Sequence, residues 1–531
     1  MSKWTLEKQA GQLLTAGYES PEKAAEHIRR GCGGIWTWQF ARTSGEDTRA
    51  TIRALQDQAE VGLLFCVDFE TGAGQFMPDG SCAEWPGLMA FSAMREGEAY
   101  ARRAGEIMSE EATWLGANFA YTPVFDVNSV PQNPICGTRS AGDTPETVMR
   151  IAGAMALGMQ KHRLLACAKH FPGEGMHTVD PHRELENMAV TREELENVHM
   201  APYRFVAERG VGGVMTNHAI YPPLDPDRQA TISPLVLGYL RETLGFPGLI
   251  TTDAMGMKGI SGDKGPQVAA LGAIAVGHDL ILHPGDTEQF VDYVCAAVRR
   301  GELPQSRIEE SCERIMAAKE RLGLLAPWDQ PEPPTPLEER WATAREIGRK
   351  SLTLLRDRQG RLPAGDLCGR RVLVIEPAHP DKHDQWQDYS GQSSFYPGLR
   401  ERCDRITEIA FTARPTAEQV AAIVAAAEQA DLIIAGACFN LRGRYQPGLL
   451  DSGEVQMLEQ VVATNPNTVF VLGNPYASCE LPFAGTVLVN YGPFLVSCAA
   501  AVEAIAGELV PEGTVPVALP EYLDPALITL P

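Results

Sequence analysis

Over the first 325 residues, short apolar runs alternate with longer stretches whose apolar residues recur at helical spacing. The runs at residues 34–36, 63–67, 118–121, 164–168, 213–215, 249–252 and 279–282 predict strands, and residues 98–116 and 145–162 predict helices between them. Strand–helix repetition over roughly 250 to 350 residues is the rhythm of an α/β protein with a (β/α)8 TIM-type barrel. A doubly wound sheet is the structural rival. The polar residues favour the barrel: Asp68, Asn128, Arg139, Lys169, His218 and Asp253 each follow a different run, as they do when many strand ends share one mouth.

Residues 326–337 predict a stiff linker, because five prolines between Ala326 and Pro336 cannot continue a helix. Beyond it, buried-strand patterns at 371–375, 432–435, 469–472 and 487–489 are separated by Ala-rich helical patterns at 417–429 and 452–464. The expected organisation is a catalytic barrel at 1–325, the linker, and a smaller α/β/α sandwich at 338–531.

Composition narrows the function classes. Hydrophobic residues make up 44% and charged residues 21%, which suits ordinary globular domains. A formal net charge of −22 argues against a nucleic-acid surface, which needs clustered Lys and Arg. Twelve cysteines without a Cys-x-x-Cys pair suggest neither a zinc site nor a disulfide framework, and fit a reducing compartment. The amino-terminal residues carry no apolar signal core and no stretch approaches a membrane span, so a cytoplasmic location without a membrane partner is expected. No Gly-x-Gly-x-x-Gly follows a strand, so no organic cofactor is expected.

The densest chemistry is Lys169-His170-Phe171-Pro172-Gly173-Glu174-Gly175 followed by Asp180-Pro181-His182. A strand runs into a cation, an imidazole and loop glycines, and Asp180 is spaced to orient His182 as a proton shuttle. Asp253, after the run Leu249-Ile250-Thr251-Thr252, is a nucleophile, a metal ligand or a helix cap. Asp68 repeats the arrangement, and Arg139 would add donors for a polyhydroxylated ligand. A metal site on His170, Glu174, His177, Asp180 and His182 is a rival; its spacing matches no helical two-His motif and leaves Asp253 without a role, so no metal is expected. A non-catalytic sugar-binding protein is a second rival, disfavoured because binding alone needs neither nucleophile nor proton shuttle.

These residues resemble glycoside hydrolase family 3, in particular its bacterial β-N-acetylglucosaminidase branch. The resemblance rests on Lys169-His170-Phe171-Pro172-Gly173 with Asp180-Pro181-His182, Thr252-Asp253-Ala254, Asp68-Phe69-Glu70, and weaker echoes at Pro123-Val124-Phe125-Asp126-Val127, Gly137-Thr138-Arg139-Ser140 and Met215-Thr216-Asn217-His218. The second domain also looks like that family's carboxy-terminal sandwich, through Ser351-Leu352-Thr353-Leu354-Leu355 and Leu472-Gly473-Asn474-Pro475-Tyr476.

The resemblance implies a retaining exo-glycosidase acting on terminal β-linked N-acetylglucosamine, for example in peptidoglycan fragments. Asp253 would be the nucleophile, His182 held by Asp180 the acid/base, and Asp68, Arg139, Lys169 and His170 the sugar-binding residues. The implied partner is a small carbohydrate or muropeptide. β-Glucosidase specificity and phosphorolysis are the alternatives within the fold, and the oligomeric state is left open. The chain departs from the family pattern at Glu174, where His is common, at Pro181, where Ser is common, and at Thr71-Gly72, where two glycines are usual.

Overall fold

A computed structural model describes residues 4–37, 43–178, 185–257, 260, 265–285, 287–326, 331, 333–377, 394–412, 414–437 and 449–520. Eight parallel strands form the first sheet: β1 (Leu14–Gly17), β2 (Gly34–Trp36), β3 (Leu64–Val67), β4 (Phe119–Ala120), β5 (Leu165–Phe171), β6 (Gly213–Thr216), β7 (Leu249–Thr252) and β8 (Ile281–Leu282). They pair in the order β8-β1-β2-β3-β4-β5-β6-β7. Thr251 bridges Leu280, so β7 meets β8 and the sheet closes into a barrel.

Sequence explains the strands: their residues are buried almost throughout, as the continuous apolar runs of a parallel sheet covered on both faces require. Phe65, Phe119, Tyr121, Cys167 and Met215 belong to the barrel core, with the Phe119 and Tyr121 rings edge to face at 5.4 Å. Burying each large side chain contributes about 2–3 kcal/mol. The helices start where capping predicts. Ser20 accepts a hydrogen bond from Lys23 N ahead of Pro21, and Thr144 accepts one from Thr147 N ahead of Pro145.

The strands at 34–36 and 249–252 coincide with expectation, and the other five runs overlap β3–β6 and β8. β1 was not anticipated. Its four residues sit directly behind the helix Leu6–Gln12, so their apolar character blends into the helical pattern.

The second sheet has six strands: β9 (Thr353–Asp357), β10 (Arg371–Pro377), β11 (Arg405–Phe411), β12 (Leu432–Ala437), β13 (Thr468–Leu472) and β14 (Thr486–Val489). Their order is β9-β14-β13-β12-β10-β11, with only the β9–β14 pair antiparallel. Alternate residues serve opposite faces. Leu373, Ile433, Phe470 and Val487 pack with the helices Ala417–Gln429 and Ser452–Thr464, while Val372, Leu432, Val469 and Leu488 pack with the helix Leu495–Ala506. This period of two makes an α/β/α sandwich.

The chain divides into two compact units, each assembled from three stretches. The first comprises Met1–Ala83, Ala101–Val127 and Thr144–Leu337; the second comprises Glu84–Tyr100, Asn128–Asp143 and Glu338–Pro531. Segments after β3 and β4 thus join the second unit, where Met89, Ala90 and Ala93 share a core with Phe470 and Tyr476. Among the described residues, no helix is long and apolar enough to cross a membrane.

Candidate functional site

The carboxyl ends of β2, β3, β4 and β5 bring one charged cluster together. Lys169, on β5, is 4% exposed at its side chain and lies between two acids from the loop after β3, with Nζ 3.0 Å from Asp68 Oδ1 and 2.7 Å from Glu70 Oε1. The other Asp68 oxygen accepts a hydrogen bond from Trp36 Nε1 at 2.7 Å, at the end of β2. A buried ammonium without such partners would cost several kcal/mol, so the two carboxylates keep Lys169 in place.

His170 faces a second acid pair. Its Nδ1 lies 2.7 Å from Asp126 Oδ2 and 3.2 Å from Glu174 Oε2, and all three residues are buried. Asp126 arrives from the segment after β4, where Phe125 N donates to Lys169 O. Its Oδ1 accepts from the backbone N–H groups of His170 at 3.2 Å and Glu174 at 2.7 Å, tying strand end and loop together. Burial alone would depress the His170 pKa, but the Glu174 and Asp126 carboxylates outweigh it and hold the imidazole above its usual range. Burial likewise works to raise Asp126, and His170 with the backbone donors overcomes it, leaving that acid below its ordinary value.

Glu174 extends the network to His177. Its Oε1 stands 3.8 Å from His177 Nε2, an electrostatic contact rather than a hydrogen bond, while His177 Nδ1 is 2.6 Å from Glu186 Oε2. Burial opposes charge on His177, yet the Glu174 and Glu186 carboxylates push its pKa up to about 9. The loop is anchored from β6: Tyr221 OH donates to Gly173 O at 2.6 Å, and Asn217 N donates to Phe171 O at 3.0 Å. Gly173 has φ 138°, and a Cβ there would meet His199 Cβ at 2.8 Å, so only glycine fits the turn.

Asp253 follows β7 directly and is half-buried. Its N–H donates to Thr216 O at 3.0 Å on β6, and its Oδ1 accepts from Ala254 N at 2.7 Å, which fixes the carboxylate at the strand end. His218, beyond β6, lies 2.7 Å from Thr231 Oγ1 through Nδ1 and 3.2 Å from Ala254 O through Nε2, so it supports that same loop.

The sequence-predicted residues therefore fall into three groups. Asp68, Lys169, His170 and Asp253 lie at carboxyl ends of barrel strands. Arg139 lies on the turn Gly137–Arg139 within the second compact unit, where its guanidinium donates to Ile135 O at 2.7 Å. Asp180 and His182 lie outside the described residues. Sequence reasoning gave no role to Asp126, Trp36 or Glu70; the position of each just at or after a barrel strand was the available signal.

Asp126, His170 and Glu174 form the one group among the described residues that could hold a metal ion, with their ligand atoms within 4.8 Å of one another. Those atoms already satisfy one another through hydrogen bonds and charge. Grooves of about 470 and 480 Å3 lie near the amino ends of the strands, by Arg53, Asn118 and Arg163 and by Lys8, Gln12 and Cys32.

Comparison with known proteins identifies the family and the fold. Residues 5–318 match the family model described as the glycosyl hydrolase family 3 N terminal domain. A Cellulomonas fimi protein named β-N-acetylglucosaminidase/β-glucosidase is 30% identical over 393 residues, covering 70% of this chain and 68% of that protein. A β-hexosaminidase A from Pseudoalteromonas piscicida is 28% identical over 293 residues, covering 51% of this chain and 49% of its own length. In three dimensions, a glycoside hydrolase family 3 β-N-acetylglucosaminidase from Paenibacillus sp. str. FPU-7 superposes with a TM-score of 0.88 at 27% identity, covering 99% of this chain and 100% of that one. A closed barrel with acids at its strand ends, a following sandwich and a match across most of the barrel leave one assignment: the chain belongs to glycosyl hydrolase family 3.

Proposed function

We propose that the chain is an exo-acting, retaining β-N-acetylglucosaminidase. The observation that carries this reading is Asp253, a half-buried carboxylate held at the end of β7, at the end of the barrel that also carries the Lys169–Asp68–Glu70 and His170–Asp126–Glu174 clusters. Names of the relatives support the sugar, since the Paenibacillus protein is called a β-N-acetylglucosaminidase and the Cellulomonas fimi protein a β-N-acetylglucosaminidase/β-glucosidase.

In this reading Asp253 attacks the anomeric carbon while His182, oriented by Asp180, protonates the departing oxygen. The same histidine then deprotonates water, which displaces Asp253 and restores the β configuration. Lys169, His170, Asp68 and Arg139 hold sugar hydroxyls. Carboxylates outnumber cations in the barrel clusters, so the field favours the positive charge that develops on the ring in the transition state. Glu174 directs its two oxygens to His170 and His177, which suits support of His170 better than proton delivery to a leaving group. A cytoplasmic protein working on muropeptide-derived sugars completes the proposal.

The test is turnover of nitrophenyl β-glycosides of N-acetylglucosamine and glucose, with and without phosphate, by the wild type, Asp253→Ala, His182→Ala and Glu174→Ala. The reading expects phosphate-independent release from the N-acetylglucosaminide with β-configured product. His182→Ala should lose roughly 10^2- to 10^4-fold, most on poor leaving groups. No turnover of any glycoside, or release of sugar 1-phosphate, would refute it.

A further inference from the structure

His283 stands directly after β8 and is one of two non-glycine residues with positive φ among the described residues, at 44°. For a side-chain-bearing residue this backbone is uncommon and is held only where surroundings dictate it. Those surroundings are the barrel mouth. His283 N donates to Thr15 O at 2.9 Å, which ties it to β1. Its ring lies in a gap made by two glycines. A Cβ on Gly17, the last residue of β1, would stand 2.9 Å from His283 Nδ1, and one on Gly256 would stand 3.5 Å from Cδ2 and 3.9 Å from Nε2. Gly256 lies three residues beyond Asp253 on the same loop, and Met255 N donates to Leu282 O at 2.9 Å. The ring centroid is 6.1 Å from that of Trp36, whose Nε1 donates to Asp68.

The two ring nitrogens have different surroundings. Nδ1 is buried against Gly17 without a hydrogen-bond partner. An orphan buried N–H is costlier and rarer than an orphan acceptor, so the cheaper tautomer leaves Nδ1 bare and carries the proton on Nε2. Burial also lowers the pKa of this imidazole, against a weaker pull from Glu19, so a second proton is disfavoured. The remaining N–H then lies on the Gly256 side, where the residue is exposed, and not on the packed β1 side.

We propose that His283 is a further substrate-contacting residue, donating its Nε2–H to an acceptor oxygen of the bound sugar on the Trp36 side of the mouth. The proposal rests on the sugar-hydrolase reading but concerns binding, so it is tested without turnover. The acceptor is a ring hydroxyl or the acetamido carbonyl, and two ligands separate these sources: glucose offers only the former, N-acetylglucosamine both.

The experiment is titration calorimetry of both sugars with wild type and His283→Gly, a variant whose residue suits φ 44° and leaves a gap the size of an imidazole ring. Affinity for N-acetylglucosamine should fall about tenfold, the worth of one hydrogen bond. An equal fall for glucose assigns the donor to a hydroxyl, and a fall confined to N-acetylglucosamine assigns it to the carbonyl. Added imidazole should restore affinity, and 1-methylimidazole, which fills the same gap without an N–H, should not. Unchanged affinity in His283→Gly, equal rescue by both azoles, rescue by neither, or no sugar binding by the wild type overturns the proposal. Should the glycine variant fail to fold, His283→Asn, which also accepts positive φ, is read the same way, with a fall expected because its shorter amide does not reach as far as Nε2. Wild-type turnover, measured separately, tests the hydrolase reading alone.

Discussion

At the amino ends of the barrel strands, Asp279 is fully buried, and its carboxylate is met from all sides by the chain itself. It accepts from Ile250 N at 3.0 Å, Ser311 Oγ at 3.1 Å, Arg314 Nε at 2.8 Å and the Arg241 guanidinium, with Arg307 at 3.5 Å. At the carboxyl ends, Lys169 and His170 are buried as well, but their partners come from strand ends and loops, and Trp36 and Asp253 keep part of their surface open. Buried charge therefore does not by itself mark a site. A network closed by donors from helices behind the sheet is a fold device, whereas one assembled on strand ends around partly open groups is arranged for a ligand.

Exchange at the two ends should separate catalysis from stability. Asp253→Ala is expected to lower kcat on the order of 10^4-fold or more, with an unchanged urea midpoint. A reduction under tenfold would remove the distinction. Asp279→Asn leaves half-buried guanidinium groups without their carboxylate and should cost up to about 3–5 kcal/mol of unfolding free energy, read by urea denaturation, while the folded fraction keeps its kcat.

Lys319 sharpens the same contrast. It is fully buried near the amino ends, its Nζ donates to Gln12 Oε1 at 2.7 Å, and burial pushes its pKa down to about 7. A folded pKa below the unfolded value of about 10.4 means that the unfolded chain binds the extra proton between those limits. Stability should therefore carry its full penalty below about pH 7 and gain as pH rises toward 10. Relative to Lys319→Met, the wild type should gain about 4 kcal/mol between pH 7 and 10, measured as the difference between the two unfolding curves. Parallel curves would count against a depressed lysine.

The smallest effect belongs to Glu174→Gln. It removes one of two carboxylates that hold His170 above the ordinary histidine range, so the imidazole should lose its proton at lower pH. The basic limb of kcat/KM is expected to move downward, with activity lost on the alkaline side and the acid side unchanged, read from the pH profile of kcat/KM. A loss as large as that of His182→Ala would instead make Glu174 the proton donor.

Much of this was legible in the residues alone. Apolar runs at 34–36 and 249–252 are β2 and β7, and the helices Ala417–Gln429 and Ser452–Thr464 begin and end where their pattern does, because strand burial and helical periodicity are local properties. Lys169, His170, Asp68 and Asp253 stood out because polar residues directly after apolar runs are rare unless a strand end carries them. β1 and β11 did not stand out: the first follows a helix without a break, and the second is an edge strand with one buried residue in seven. Tertiary structure alone decided the partners. That Asp126 would meet His170 across 44 residues, that Asp68 and Glu70 would share Lys169 across about a hundred, and that segments 84–100 and 128–143 would join the second unit all follow from barrel closure and packing. A chain encodes its local periodicity residue by residue, but which charges neutralise one another is settled only when burial makes leaving them unpaired too costly.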